Sequence, residues 1–450
     1  MGGVCCKSEI DFVNEETQLH HFYLLRAIGK GSFGKVRIVR HKQTNLEYAL
    51  KYISKDKCIE RRSVYNVINE RCMLQRLDYP LIVNLRYAFQ DDDTLFMALD
   101  LMLGGDLRFM LERHQKLSEM QVRFYVAEIL LSLGYLHRRR IAHRDIKPDN
   151  ILLDERGHAH VSDFNVATTF TQKKPMRFST AGTLAYMAPE MLGRQGYNTS
   201  VDWFSLGVTA YELLFGKRPF RGKTSDEVTE AILHAPLEFP DNVYELVSED
   251  CVNILTGLLQ KSPQHRLGCG PDGLVRFKNH SWFRGLDWAM LERKLAVPPF
   301  IPDSKTMNFD SVHEIEEILL EEPPLRSARK RTTQHSDTQS CVTEEAQWQQ
   351  IMEDKFLPFD YQKRRTHPHE SPAVRSNHHT VDPSPPRRPF FTKVNSSYER
   401  YRSQGYDVLE EMPSPVPEDD EVTSPITLHM PSPPLPNATH HMKSTTSTVL

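Results

Sequence analysis

The sequence predicts an α+β chain in two lobes, a small antiparallel sheet followed by a larger helical body, and then a tail that forms no core. Three observations carry this reading. The first hundred residues break into short β-branched or apolar runs separated by Gly and polar turns. Beyond Asp106, apolar residues recur at helical spacing instead. Residues 323–450 hold 17 of the 29 Pro but only one of the 21 Gly, Gly405. That Ser-, Thr-, His- and Pro-rich stretch buries too little apolar surface to offset its conformational entropy, so it is expected to be mostly disordered.

The strand-like runs come in order as YLLRAIG (23–29), GKVRIVR (34–40), YALKYIS (48–54), VNLRYAF (83–89) and LFMALDL (95–101). Between the third and fourth, residues 63–77 place Val64, Val67, Ile68, Met73, Leu74 and Leu77 on one helical stripe. Helical periods then dominate at 120–139, 201–216 and 249–260. The ordered part is expected from about Phe22 to about Asp303, and a cleft between two such lobes is a natural ligand site.

Composition narrows the function. Lys plus Arg number 56 and Asp plus Glu 59, a net charge of −3 that offers no global field for nucleic acid or for an anionic membrane. Seven scattered Cys without a CxxC pair argue against metal clusters and a secreted disulfide framework, and point to the reducing cytoplasm. No apolar run reaches the roughly 18 residues of a spanning helix.

The chemistry lies in a series of short motifs. GKGSFGKV supplies Gly29, Gly31 and Gly34 between two strand-like runs, where backbone without Cβ atoms can approach phosphates closely. A dinucleotide fold would need a helix straight after these glycines, but strand-forming VRIVR follows. Lys51 in YALK, with Glu70 on the following helix as its partner, can hold an ammonium against nucleotide phosphates. HRDIKPDN is more specific: Asp145 to accept the proton of an attacking hydroxyl, Lys147 to neutralise a transferring phosphoryl group, Asn150 to ligate a divalent cation. SDFN follows with Asp163 as a second metal ligand, and MAPE (187–190) closes the segment, with Arg266 as a buried structural partner for Glu190.

Order and spacing of these pieces resemble the eukaryotic protein kinase fold over roughly 260 residues, with Lys147 two after Asp145 as in serine/threonine kinases. PPFIPDSKTMNFDSV is similar to the C-terminal tail of AGC kinases. DFN in place of DFG, LGGDLR, TAGT and HEIEEILLEE resemble the YANK group. The resemblance implies ATP as co-substrate, Mg²⁺ (with Mn²⁺ as an alternative) and protein substrates. It implies a nucleotide site of Ile28, Gly29, Lys30, Gly31, Ser32, Phe33, Gly34, Lys35, Val36, Ala49, Lys51 and Glu70, with Leu99 as gatekeeper. Asp100 to Met102 would form the adenine-binding hinge, and Phe309 would fold back over the adenine. The organisation it implies is an N-terminal segment at 1–21, a small lobe at 22–102 and a large lobe at 103–283. An AGC-type tail at 284–361 and a disordered Pro/Ser-rich tail at 362–450 would follow.

Asn165 departs from the family's Gly; Asn tolerates left-handed backbone, so geometry need not be lost. With Lys51, Glu70, Asp145, Asn150 and Asp163 all present, an active enzyme is favoured over a nucleotide-binding pseudokinase scaffold, and the intact APE segment disfavours a metabolite or lipid kinase. Ser179 occupies the activation-loop phosphosite, where Arg144 is the expected cation while Asn66 and Thr168 stand at the other basic positions, so phosphorylation is not expected to be obligatory. Asp106, Asp149 and Glu230 match acids that meet substrate Arg in basophilic relatives, which implies a weak preference for basic residues before the acceptor. Phe356 and Phe359 of FLPFDY have the spacing of the AGC hydrophobic motif, with Asp360 where relatives carry a phosphate. At the ends, Gly2, Cys5 and Cys6 are acylation candidates for membrane attachment, and Thr448-Val449-Leu450 is a candidate PDZ ligand.

Overall fold

The β-branched and aromatic runs of the first hundred residues pair as a twisted antiparallel sheet in the computed structural model, which describes residues 16–30, 34–303, 325 and 344–366. All of these belong to one unit spanning Met1–Ala373; the second, Val374–Leu450, lies outside the described residues. So do Gly2, Cys5, Cys6, Gly31, Ser32, Phe33, Phe309, the C-terminal triplet and the Pro/Ser-rich tail beyond residue 366.

Strands β1 (Phe22–Lys30), β2 (Lys35–His41), β3 (Glu47–Ser54), β4 (Leu85–Gln90) and β5 (Thr94–Asp100) answer the five predicted runs. Their order in the sheet is β1-β2-β3-β5-β4, with β6 (Phe359–Asp360) added beyond β4 as the sixth strand of this sheet. One face buries an aromatic cluster of Phe22, Tyr48, Tyr87, Phe89 and Phe96. The other carries α1 (Lys55–Glu60) and α2 (Val64–Leu74), the second of which buries Val64, Val67, Ile68, Met73 and Leu74 as its periodicity predicts.

The large lobe is built around two helices. Helix α4 (Glu119–Arg138) starts on a capping box between Ser118 and Gln121, and α6 (Val201–Phe215) buries every residue except Phe215. A helix that is apolar nearly all round must be central; its few polar residues, Asp202, Ser205, Thr209 and Glu212, each satisfy a group on a neighbouring segment. Helix α9 (Glu249–Leu258) packs on α6. The Glu190 carboxylate lies 2.6 Å from Arg266, both buried, joining α5 (Pro189–Leu192) to the loop after α9 as the sequence suggests.

The tail contains more structure than its composition predicts. Residues 344–355 form a helix, Glu344–Lys355, and Tyr361–Thr366 another, within a stretch expected to be ordered only at FLPFDY. The reason is tertiary: Met352 and Phe356 are both 0% exposed against the small lobe, and Trp348 meets Tyr65 edge to face at 5.3 Å. A short helix with so few apolar residues has no stability of its own and forms only where a groove receives them. Among the described residues no helix is long and apolar enough to cross a membrane.

Candidate active site

The cleft between the lobes holds a cavity of about 300 Å³ whose lining is mainly apolar at one end and charged at the other. Ile28, Val36, Ala49, Leu99 and Met102 line its apolar part, together with Leu74, Val83 and Leu152, which the sequence reading did not select. A wider recess of about 450 Å³ abuts the cleft at Asp100 and Met102, and another of about 630 Å³ lies between Gly134 and Leu274; neither holds a residue of the catalytic motifs.

At the charged end, Lys51 projects from β3, where it pairs with Val36 on one side and Met97 on the other. Its Nζ donates to both carboxylate oxygens of Glu70 on α2, at 2.7 and 3.0 Å, and lies 3.6 Å from Asp163. Burial acts against the ammonium, but the Glu70 and Asp163 carboxylates outweigh it and hold Lys51 well above the ordinary lysine range. The Glu70 helix is tied from both ends of the cleft, since Asn69 donates to the Ala167 carbonyl at 3.0 Å and Arg71 to the Pro358 carbonyl of the tail at 3.3 Å.

Asp145 sits in a turn held by α6. Buried Asp202 accepts the backbone N–H groups of His143 and Arg144 at 2.9 and 2.8 Å and also contacts His137 at 2.8 Å. Arg144 itself has φ 69°, a left-handed conformation that these bonds hold in place. Nothing in the sequence at Asp202 marks this role; it emerges only when α6 meets the turn. One Asp145 oxygen accepts the Thr183 N–H at 2.8 Å, and the other faces Asn150 and Lys147, both at 2.9 Å. Burial pushes the Asp145 carboxyl up, but the Lys147 and Thr183 bonds outweigh it, so it stays below the usual carboxylate range and ionised at neutral pH. Lys147 also reaches Thr183 Oγ1 at 2.7 Å.

Two acceptors are left open where a cation would sit. Asp163 Oδ1 is buried without a hydrogen bond, and Asn150 spends its Nδ2 on Asp145, leaving its Oδ1 to ligate. Among the described residues there is no group of three His, Cys, Asp or Glu that would enclose a metal alone. Two oxygen donors beside an open cleft suit Mg²⁺, which keeps water and phosphate ligands.

Several expectations change. The left-handed position in the DFN turn belongs to Asp163, with φ 59°, rather than to Asn165, whose side chain lies 3.5 Å from the Asp163 carboxylate. At Ser179, Arg144 Nη1 lies 3.5 Å from Oγ, while Arg177, two residues earlier, spends its Nη2 on the Thr169 carbonyl at 3.0 Å. Glu230 is no part of the cleft: on α7 (Ser225–His234) it is 73% exposed and pairs with His234. The acid that lies beside the catalytic segment instead is Glu212, which pairs with Arg108, itself 3.3 Å from Asp149.

Asp106 caps α3 (Leu107–His114) through the Phe109 N–H at 2.8 Å. Burial, with Asp149 adding repulsion, raises its carboxyl to about 6. Its folded-state value lies above the unfolded one, so the group favours the fold at low pH and loses that contribution as pH rises through about 6. Asp106→Asn, which keeps the cap, is therefore expected to raise Tm at pH 7.5, with the gain shrinking toward pH 5. A melting series across that range checks it; an equal or larger gain at pH 5 would contradict it.

Residues 22–283, more than half the chain, match the protein kinase domain. The chain belongs to the protein kinase family. It is 43% identical to human Serine/threonine-protein kinase 32B over 71% of its own length and 77% of the relative's, and 43% identical to human Serine/threonine-protein kinase 32C over 70% and 65%. Serine/threonine-protein kinase Sgk1 of Fundulus heteroclitus is 38% identical over 64% of this chain and 66% of its own. It is a serine/threonine protein kinase of the AGC group, and it stands with the YANK kinases that its motifs resemble.

Proposed function

We propose that this serine/threonine kinase is an active phosphotransferase whose cleft is complete without phosphorylation. The observation that carries the reading is the 2.7 Å Lys51–Glu70 pair, made while Asp145, Lys147 and Thr183 are already bonded to one another. In this reading the ring of Ile28, Val36, Ala49 and Leu152 grips adenine, with the backbone of Asp100 to Met102 bonding its edge. Lys51 and the backbone of the 29–34 loop hold the phosphates. Asn150 and Asp163 hold Mg²⁺ or Mn²⁺, which supplies positive charge across the phosphates when bound. Asp145 orients the Ser or Thr hydroxyl and takes its proton, and Lys147, fixed by Thr183, neutralises the charge that grows on the transferring group. The activation segment is already pinned, because Arg144 bonds the Val166 carbonyl at 2.6 Å and the Tyr197 hydroxyl at 2.8 Å. A phosphate on Ser179 would meet Arg144 and tighten this arrangement, which does not depend on it. The test is phosphotransfer from ATP to Ser, Thr and Tyr peptides by phosphatase-treated chain. Transfer to Ser and Thr alone supports the reading; nucleotide binding without transfer would replace it with the scaffold.

A further inference from the structure

Beside the catalytic turn, one arginine of this chain saturates a nest of acceptors. Arg108, the second residue of α3, points its Nε at Asp149 Oδ2, 3.3 Å away. Its Nη1 and Nη2 bond the two oxygens of Glu212 at 3.1 and 3.2 Å, and Nη2 also reaches the Tyr186 hydroxyl at 2.6 Å. Tyr186 in turn donates to Glu212. All three guanidinium nitrogens are used, and Glu212 is only 8% exposed.

The cluster borders the place where an acceptor hydroxyl must sit. Asp149 is two residues beyond Lys147 and Tyr186 three beyond Thr183, and both Lys147 and Thr183 touch Asp145. Without Arg108, Asp149 would have lost its guanidinium, and Glu212 would keep only the Tyr186 hydroxyl and Arg218, a half-exposed side chain 4.0 Å away. Two carboxylates so weakly paired reward a substrate guanidinium, because any other residue leaves them short of positive charge. With Arg108 in place, that penalty disappears. A substrate arginine could enter only by displacing one guanidinium to bond another, which yields no net pairing.

We propose that Arg108 fills the subsite that a basic substrate residue would otherwise occupy, and that it removes selection for basic residues before the acceptor. The inference rests on the protein kinase assignment and reverses the sequence-based expectation of a basic preference. Arg108 is thus a specificity-determining residue for the known reaction, acting by occupation rather than by contact with the reacting atoms.

The experiment compares kcat/KM for peptides carrying Arg or Ala at each of the five positions before the acceptor, using the full chain with ATP and Mg²⁺. Wild type should give Arg-to-Ala ratios within about threefold throughout, as expected where no charge is left unpaired. Arg108→Ala and Arg108→Gln should raise the ratio by about tenfold or more at one position, mainly through KM for the Arg peptide. The Gln variant keeps a hydrogen-bonding side chain of similar reach, so a loss of fold in the Ala variant leaves the comparison intact, and Tm and KM for ATP report on folding. A wild-type ratio already above about tenfold would overturn the proposal, as would unchanged ratios in a folded variant. Absence of any phosphotransfer by wild type would instead overturn the functional reading on which it rests.

Discussion

Asp145→Asn should lower kcat by about 10²–10⁴-fold while leaving KM for ATP nearly unchanged. The size follows from what the carboxylate does. It is the one ionised group held by Thr183, Asn150 and Lys147 at 2.8 to 2.9 Å, and its lowered pKa keeps it charged at working pH. Asn preserves the shape and some of the bonds but cannot take a proton from a hydroxyl. It also removes the charge that keeps the Lys147 ammonium in place, so substrate orientation suffers as well. ATP contacts Lys51, the Gly loop and the hinge in this account, none of which bonds Asp145, so nucleotide affinity is spared. Steady-state kinetics with a Ser peptide, alongside nucleotide titration, would check both halves. A variant with wild-type kcat would remove Asp145 from the mechanism.

The second large effect is expected from Phe356→Ala combined with Phe359→Ala. Phe356 is 0% exposed, and Phe359 pairs with Ala88 as the start of the sixth strand. Gln90 spans the junction, its Nε2 donating to the Met352, Glu353 and Phe356 carbonyls at 3.4, 3.1 and 3.0 Å. Burying a Phe side chain is worth roughly 1.5–3 kcal/mol, and losing the pair also releases the tail helix. What makes the loss functional is Arg71, the neighbour of Glu70, which donates to Pro358. When the tail leaves, the helix carrying Glu70 loses that tie. The double variant should therefore show kcat reduced severalfold and Tm lowered by roughly 5 °C or more. Asp360→Ala should do less, because its carboxylate accepts the Gln362 N–H at 2.9 Å and otherwise acts on His41 and Tyr87 only through its charge. Calorimetry and peptide kinetics on the three proteins decide; unchanged rate and melting temperature in the double variant would make the motif a bystander.

How much could be read from the sequence depended on whether a residue's role is local. Lys51, Asp145, Lys147, Asn150 and Asp163 stand in short motifs whose chemistry can be read locally, and the fold brings all five together. The five strands and the helices at 119–138, 201–215 and 249–258 follow periodicities long enough to be distinctive. Asp202 was invisible because an Asp in an apolar helix gains its meaning only from the two N–H groups that arrive from the catalytic turn. The tail helix was missed for the same reason, since Trp348, Met352 and Phe356 are sparse until α1 and α2 supply a groove. Glu230 was misplaced by resemblance alone, whereas Glu212, in a helix buried nearly all round, is the acid that pairs with Arg108 beside Asp149. A polar residue that cannot avoid burial needs a partner, but for Glu212, as for Asp202, only the fold shows which one. Asn165 illustrates the reverse: the backbone demand assigned to it falls on Asp163.

The central claim is that the cleft is assembled as folded, with the Lys51–Glu70 pair closed and the acidic tail motif docked before any phosphate is added. The most direct test is a time course of Ser-peptide phosphorylation by phosphatase-treated full chain with ATP and Mg²⁺, with phosphate on the kinase itself followed by mass spectrometry. The account predicts linear product formation from the first time point, while Ser179 and the tail are still unmodified. A lag that ends only as phosphate accumulates on Ser179, or no product at all, would contradict it.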